Sequence, residues 1–278
     1  MLDWLFINGA ITTKIQGVIP VNDTIIGRGY GIFDFLQAKE GVPLFLSDHL
    51  DRFYNSAHIL GISIPYSKDE LQHAIRLLLI KNKTDAAGIK LIASGGIAAD
   101  GYSVGPNQII IYLSTFRKVS TEKFLTGVKL KLFSYKREIP EAKTINYLFP
   151  MYIAPLLISE GFEEPLYYDD WVRETARGNI FAFFGNKLVT PASGILKGVT
   201  RKHVIQVAQS LFEVEETNLT VKDLLNADEL FMTSSIKRVL PVVQVDDSII
   251  AEGGAGSRTL ILARALFDYE ESYIKNLR

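Results

Sequence analysis

The 278-residue chain contains no cysteine. That absence removes disulfides, zinc–thiolate sites, iron–sulfur clusters and a thiol nucleophile, and it suits a reducing compartment. Histidine is scarce. The four present are His49, His58, His73 and His203, none at metal-ligand spacing to another, so no metal site is expected. Charge of one sign is lacking too: 30 Lys and Arg against 31 Asp and Glu give a formal net charge of −1. Neither nucleic acid nor an anionic membrane is therefore an expected partner. No apolar run approaches the roughly 20 residues of a membrane span. Met1-Leu2-Asp3 places an acid where a signal peptide has its basic region, and Asn8-Gly9 interrupts the apolar stretch that follows. A soluble cytoplasmic protein is the expectation. There is no Gly-x-Ser-x-Gly elbow and no phosphate-loop Lys-Ser/Thr. Gly27-Arg28-Gly29-Tyr30-Gly31 is rich in glycine but lacks the strand–helix setting of a dinucleotide fingerprint.

What is present is an ordinary globular composition, 47% apolar and 22% charged, in a chain long enough for two modest domains. Trp4 to Thr13 reads as a hairpin about Asn8-Gly9, whose residues accept the positive φ of a two-residue turn. Ser47-Asp48 is a candidate cap for a helix to about Leu60, ended by Gly61. A second helix follows Ser67, with Leu71, Ala74, Ile75, Leu78 and Leu79 on one face. Ile89 to Ser94 and Gln108 to Leu113 read as strands, and Val128 to Tyr135 as another. A helix is expected after Asn146, a β-rich stretch over Leu166 to Thr190, and a helix from Val199 to Phe212. Strands near Glu229 to Met232 and Val239 to Val245 precede a closing helix from Gly256. The pattern is mixed α/β or α+β. The expected division is a small α/β domain over 1–116, a linker over 117–123 and a large domain over 124–278.

Three segments carry chemistry. Ala142-Lys143-Thr144-Ile145-Asn146-Tyr147 sets a single lysine between a strand and a helix. Arg173-Glu174-Thr175 places an acid in a β-rich apolar region. Leu196-Lys197-Gly198-Val199-Thr200-Arg201 opens a helix whose free N–H groups and threonine hydroxyl form a phosphate cradle. Lysine, buried acid and phosphate site are the parts that a pyridoxal-phosphate enzyme requires.

In that combination the chain resembles the class IV aminotransferases, the fold-type-IV pyridoxal-phosphate enzymes. The likeness runs through His49-Leu50-Asp51-Arg52, Lys143 to Tyr147, Glu174 to Phe181, Gly198 to Arg201 and Phe231 to Val242. It implies a small α/β lobe and a larger lobe with a β-barrel-like core, assembled as a homodimer. It also implies pyridoxal 5′-phosphate as cofactor, with Lys143 forming the Schiff base and shuttling the substrate proton. Glu174 would face the pyridine nitrogen, Leu196 the ring, and Tyr147 would lie near the cofactor. Arg52, Gly198, Val199, Thr200 and Ser235 would hold its phosphate.

For the substrate the resemblance leaves three readings. The best-known D-amino-acid enzymes of this family grip the carboxylate with an Arg-x-His element, which the loop Ser94 to Tyr102 lacks. A carboxylate entering an enclosed site still needs donors. Arg28 and Arg177 are the candidates, as in a family variant that uses an arginine pair on D-amino acids, with Tyr30 and Phe33 bordering the pocket. The expected reaction is ping-pong transamination of D-amino acids with 2-oxo acids, 2-oxoglutarate among them. A branched-chain L-amino-acid aminotransferase and an aminodeoxychorismate lyase are the alternatives. The lyase pattern has threonine where Phe35 stands here.

Overall fold

Asn8 and Gly9, at φ 48° and 90°, make the tight turn their chemistry allows, joining strands β1 (Trp4–Ile7) and β2 (Ala10–Thr13). The computed structural model describes residues 1–278, and from this hairpin the chain builds the first of two compact units. Its elements are α1 (Thr24–Arg28), β3 (Gly31–Lys39), β4 (Val42–Pro43), α2 (Leu46–Ile59), α3 (Lys68–Lys81), β5 (Ala87–Ser94) and β6 (Ile109–Ser114). The strands form one six-stranded sheet in the order β2-β1-β6-β5-β3-β4. Ser67 and Glu70 close a reciprocal capping box on α3, and Leu71, Ala74, Ile75, Leu78 and Leu79 are its buried stripe. They pack with Leu50 and Phe53 of α2 and with Ile32, Leu36, Ile89, Leu91, Ile111 and Leu113 of the sheet in one hydrophobic core.

The second unit adds α4 (Lys123–Thr126), β7 (Val128–Ser134), α5 (Leu148–Glu160), β8 (Glu164–Tyr168), β9 (Val172–Thr175) and β10 (Gly178–Phe184). There follow β11 (Lys187–Thr190), α6 (Val199–Ala208), β12 (Glu213–Glu216), α7 (Val221–Leu225), β13 (Glu229–Ser234), β14 (Arg238–Val245), β15 (Ser248–Ile249) and α8 (Ser257–Leu277). β10-β13-β14-β7-β8-β9 form a continuous run, and β9 pairs back onto β10 through Gly178↔Thr175 and Asn179↔Glu174. The result is a closed barrel of six strands. Alternate residues of every strand fill it, among them Leu130, Leu166, Val172, Ile180, Met232 and Val242. On the outer face Phe181 stacks on Phe231 at 4.9 Å and 6°, beneath Val204 of α6 and Leu262 and Leu266 of α8.

The domain division read from the sequence needs a correction. Ala142–Asn146 and Tyr273–Arg278 belong to the first unit, although both lie within the stretch 124–278. The cause is backbone pairing: Phe33 N–H donates to the Lys143 carbonyl at 2.9 Å and Ile145 N–H to that of Gly31 at 3.1 Å, around the antiparallel bridge Ile32↔Thr144. Tyr273 packs its ring 4.7 Å from that of Phe45, and Arg278 pairs with Glu40 at 2.6 Å. Two other expectations shift. The cap of α2 is Phe45, in the left-handed region at φ 53°, rather than Ser47 or Asp48. Helix α6 stops at Ala208, and its buried residues include Arg201, whose guanidinium reaches the Pro191 carbonyl and the Glu216 carboxylate. No helix is long and apolar enough to cross a membrane.

Candidate active site

In the first unit, α2 determines the arrangement. His49, Arg52 and Ser56 stand three and four residues apart and so share one face of the helix. Ser56, fully buried, donates from its hydroxyl to the Arg52 carbonyl at 2.9 Å and accepts the Lys143 N–H at 3.0 Å. The backbone of Lys143 is thereby pinned on one side to α2 and on the other to β3. Its ammonium lies over the Phe33 ring, 4.7 Å from the centroid. Lys90 of β5 lies over the same ring at 5.0 Å, and burial pushes its ammonium pKa down.

Asp34 of β3, with no exposed surface, sits against that helix face. Its Oδ1 accepts from Arg52 Nη2 at 2.8 Å, His49 Nδ1 at 2.7 Å and the Phe35 N–H at 2.7 Å, while Oδ2 accepts from Arg52 Nε at 2.8 Å. Burial alone would raise the Asp34 carboxyl. The adjacent guanidinium and the donors outweigh burial and hold it well below the usual carboxylate range. Burial pushes the His49 imidazole down; Asp34 opposes this, and Arg52 and Lys143 add to the depression. The Asp34 carboxylate can only accept, so the His49 proton that faces it is on Nδ1.

In the second unit the barrel closure positions Glu174, which is 5% exposed. Its Oε2 accepts the Leu196 N–H at 3.2 Å, and Arg137 Nη1 is 3.5 Å from Oε1. The Leu196 carbonyl accepts from Asn179 Nδ2 at 2.8 Å, so both polar groups of Leu196 are tied to the closing strand pair. Two residues on, Gly198 caps α6 without a side-chain bond. A Cβ at Gly198 would fall 2.3 Å from Asn179 Oδ1, so only glycine lets the chain turn this closely into the helix. Val199 and Thr200 then present their amides at the positive end of α6. Ser235 lies in the turn from β13 to β14, in which Lys237 N–H donates to Ser234 Oγ at 3.1 Å. Burial pushes the Tyr147 phenol up.

The carboxylate candidates differ from one another. Arg177 is 65% exposed along its side chain, with Nε and Nη2 at 2.8 and 2.6 Å from Glu164 Oε1. Glu164 is only 1% exposed and accepts from Lys237 as well. Arg28 is exposed and holds the Gly101 carbonyl at 3.4 Å. The Tyr30 hydroxyl donates to the Leu60 carbonyl. Sequence reading did not find Asp34 with His49, nor Glu164, Arg137 or Lys90. The one local signal was the i, i+3 spacing of His49 and Arg52; Asp34, Glu164 and Lys90 depend on strand register, and Arg137 on the connection after β7.

The first unit holds a lysine and an arginine fixed by a carboxylate, and the second a buried acid and the glycine-led start of α6; these residue types suit a phosphorylated aldehyde cofactor. The chain was compared with known proteins. The chain is similar to the branched-chain-amino-acid aminotransferase of Pseudomonas aeruginosa, 30% identical over 86% of this chain and 84% of that one. It is similar to the D-alanine aminotransferase of Bacillus licheniformis, 28% identical over 93% and 94%. The crystal structure of the T.th. branched-chain amino acid aminotransferase with pyridoxamine 5′-phosphate superposes with a TM-score of 0.90, at 26% identity over 97% of this chain and 94% of that one. Residues 31–245, the span from the start of β3 to the end of β14, match the model of the amino-transferase class IV family. That span takes in both halves of the chemistry described above, and the chain belongs to the class IV aminotransferase family.

Proposed function

We propose that this pyridoxal-phosphate-dependent class IV aminotransferase exchanges the amino group of D-amino acids with 2-oxo acids, 2-oxoglutarate among them, and works in the cytoplasm. When bound, the cofactor supplies the electron sink for charge left at the substrate Cα. Lys143 Nζ is the amine that anchors the cofactor and the base that takes and returns the Cα proton. Its backbone is held by Ser56 and Phe33, which fixes the root of that side chain. Glu174 would favour a positive charge at the ring nitrogen, and Leu196 and Tyr147 would lie by the ring. Arg52 and the amides of Val199 and Thr200, with Gly198 and Ser235, would hold the phosphate.

The observation that carries the D-amino-acid reading is Arg177. Buried Glu164 holds it on the Nε–Nη2 edge, which leaves the exposed guanidinium a second edge for a carboxylate. Arg28, in the loop before Phe33, is the proposed second arginine. The likeness to a branched-chain enzyme sustains L-leucine-type substrates as the alternative. The test is a single-turnover titration of the holoenzyme with D-alanine, D-glutamate, L-leucine and L-glutamate, read by the cofactor's visible absorption. D-substrates are expected to convert it, and Arg177→Ala to weaken that response by about 10–100-fold. Conversion by L-leucine alone would assign the chain to the branched-chain activity.

A homodimer is proposed as the working unit. Helix α5 is apolar on every side, and Leu148, Met151, Tyr152 and Ile158 are exposed on it. Sedimentation equilibrium is expected to give twice the 31.1 kDa chain mass, and the double substitution Met151→Glu, Ile158→Glu to give monomer. A dimer that survives both changes would exclude α5 from the interface.

A further inference from the structure

Arg52 meets Asp34 along one edge of its guanidinium only. Nε and Nη2 are both at 2.8 Å from the carboxylate, a bidentate geometry that fixes the plane of the group. Nη2 also lies 3.3 Å from His49 Nδ1, a nitrogen whose proton faces Asp34, and Nη1 takes no acceptor from the chain. Asp34 in turn is fixed by donors it cannot escape: His49 Nδ1 at 2.7 Å and the Phe35 amide at 2.7 Å. His49 lies one helical turn before Arg52 on the same face, and its side chain is 3% exposed. A buried carboxylate held by a guanidinium, an imidazole and a backbone amide is a rigid pedestal for the arginine. Without it, a long side chain that is only 11% exposed would have several rotamers and one charge with no fixed direction.

We propose that Asp34 and His49 are positioning residues that lock Arg52 with its Nη1–Nη2 edge presented to the phosphate of the cofactor. The inference rests on the reading of Arg52 as a phosphate ligand and deepens it. Neither Asp34 nor His49 touches the cofactor; both act through the arginine. Their removal therefore affects recognition of the phosphate rather than of the aldehyde and ring.

That distinction gives the test. Equilibrium dialysis of the apo-protein measures the affinity for pyridoxal 5′-phosphate and for pyridoxal, which lacks the phosphate. Wild type is compared with Arg52→Ala, Asp34→Asn, His49→Ala and the double variant Asp34→Asn, Arg52→Ala. Asp34→Asn is expected to lower the preference for the phosphorylated form by about 10–100-fold, the scale of losing the outer partner of an oriented ligand. Pyridoxal binding should stay within about twofold, and His49→Ala should give a smaller loss of the same kind. In the Arg52→Ala background Asp34→Asn should cause no further loss, because the group it positions is gone. Equal weakening of both ligands, or full additivity with Arg52→Ala, overturns the positioning role. If Arg52→Ala itself leaves the preference intact, the phosphate reading of Arg52 fails and the inference with it. Should Asp34→Asn not fold, His49→Ala alone, with its Arg52→Ala partner, decides the same question.

Discussion

Lys143→Arg is expected to abolish amino transfer, lowering kcat/KM by at least about 10⁴-fold, although it keeps the positive charge. The reason is chemical. Arginine stays protonated at any pH the protein survives and can act neither as an anchoring amine nor as a base at Cα. The substitution changes little else, since the backbone bonds of Lys143 to Ser56 and Phe33 do not involve its side chain. The cation over the Phe33 ring is also retained. The variant should fold and should still take up cofactor without a covalent link. A steady-state assay and a cofactor-to-protein stoichiometry measure the two halves of that expectation. Activity within about tenfold of wild type would remove Lys143 from the chemistry.

The second large effect belongs to Glu174→Gln. The substitution preserves shape, and the Leu196 N–H at 3.2 Å from Oε2 can still find the amide oxygen. What disappears is the negative charge, 5% exposed and therefore little screened by water. A neutral amide would no longer favour a proton on the pyridine nitrogen of a bound cofactor, which would then withdraw electrons from Cα less well. A loss of about 10²–10³-fold in kcat is expected, comparable to removing one preorganised electrostatic partner. KM and cofactor affinity should change far less. A loss confined to KM would place Glu174 in substrate binding, and equal loss of cofactor would make it a packing residue.

The legibility of the sequence followed the range of the interactions. Helix α3 was readable because its signals are local: Ser67 and Glu70 cap it, and five apolar residues keep helical spacing. The hairpin at Asn8-Gly9 was readable for the same reason. Strand β3 was not. It follows a glycine-rich segment and carries Asp34 and Gln37 amid apolar residues, because both faces are largely buried and alternation is lost. That omission concealed the Asp34 cluster and the pairing that draws residues 142–146 into the first unit. Lys143, Glu174 and Gly198 stand out in the sequence only by residue type and order. The engagement of Arg177 with Glu164 could not be, since 13 residues and a strand register separate them.

Lys143 Nζ is the proposed covalent partner of the cofactor, and borohydride reduction of the holoenzyme followed by peptide mapping reads that bond directly. The reduced pyridoxyl group is expected on the peptide carrying Lys143 and on no other lysine. Label on Lys90 or Lys237, or a cofactor released intact after reduction, would contradict the assignment of Lys143 and the mechanism built on it.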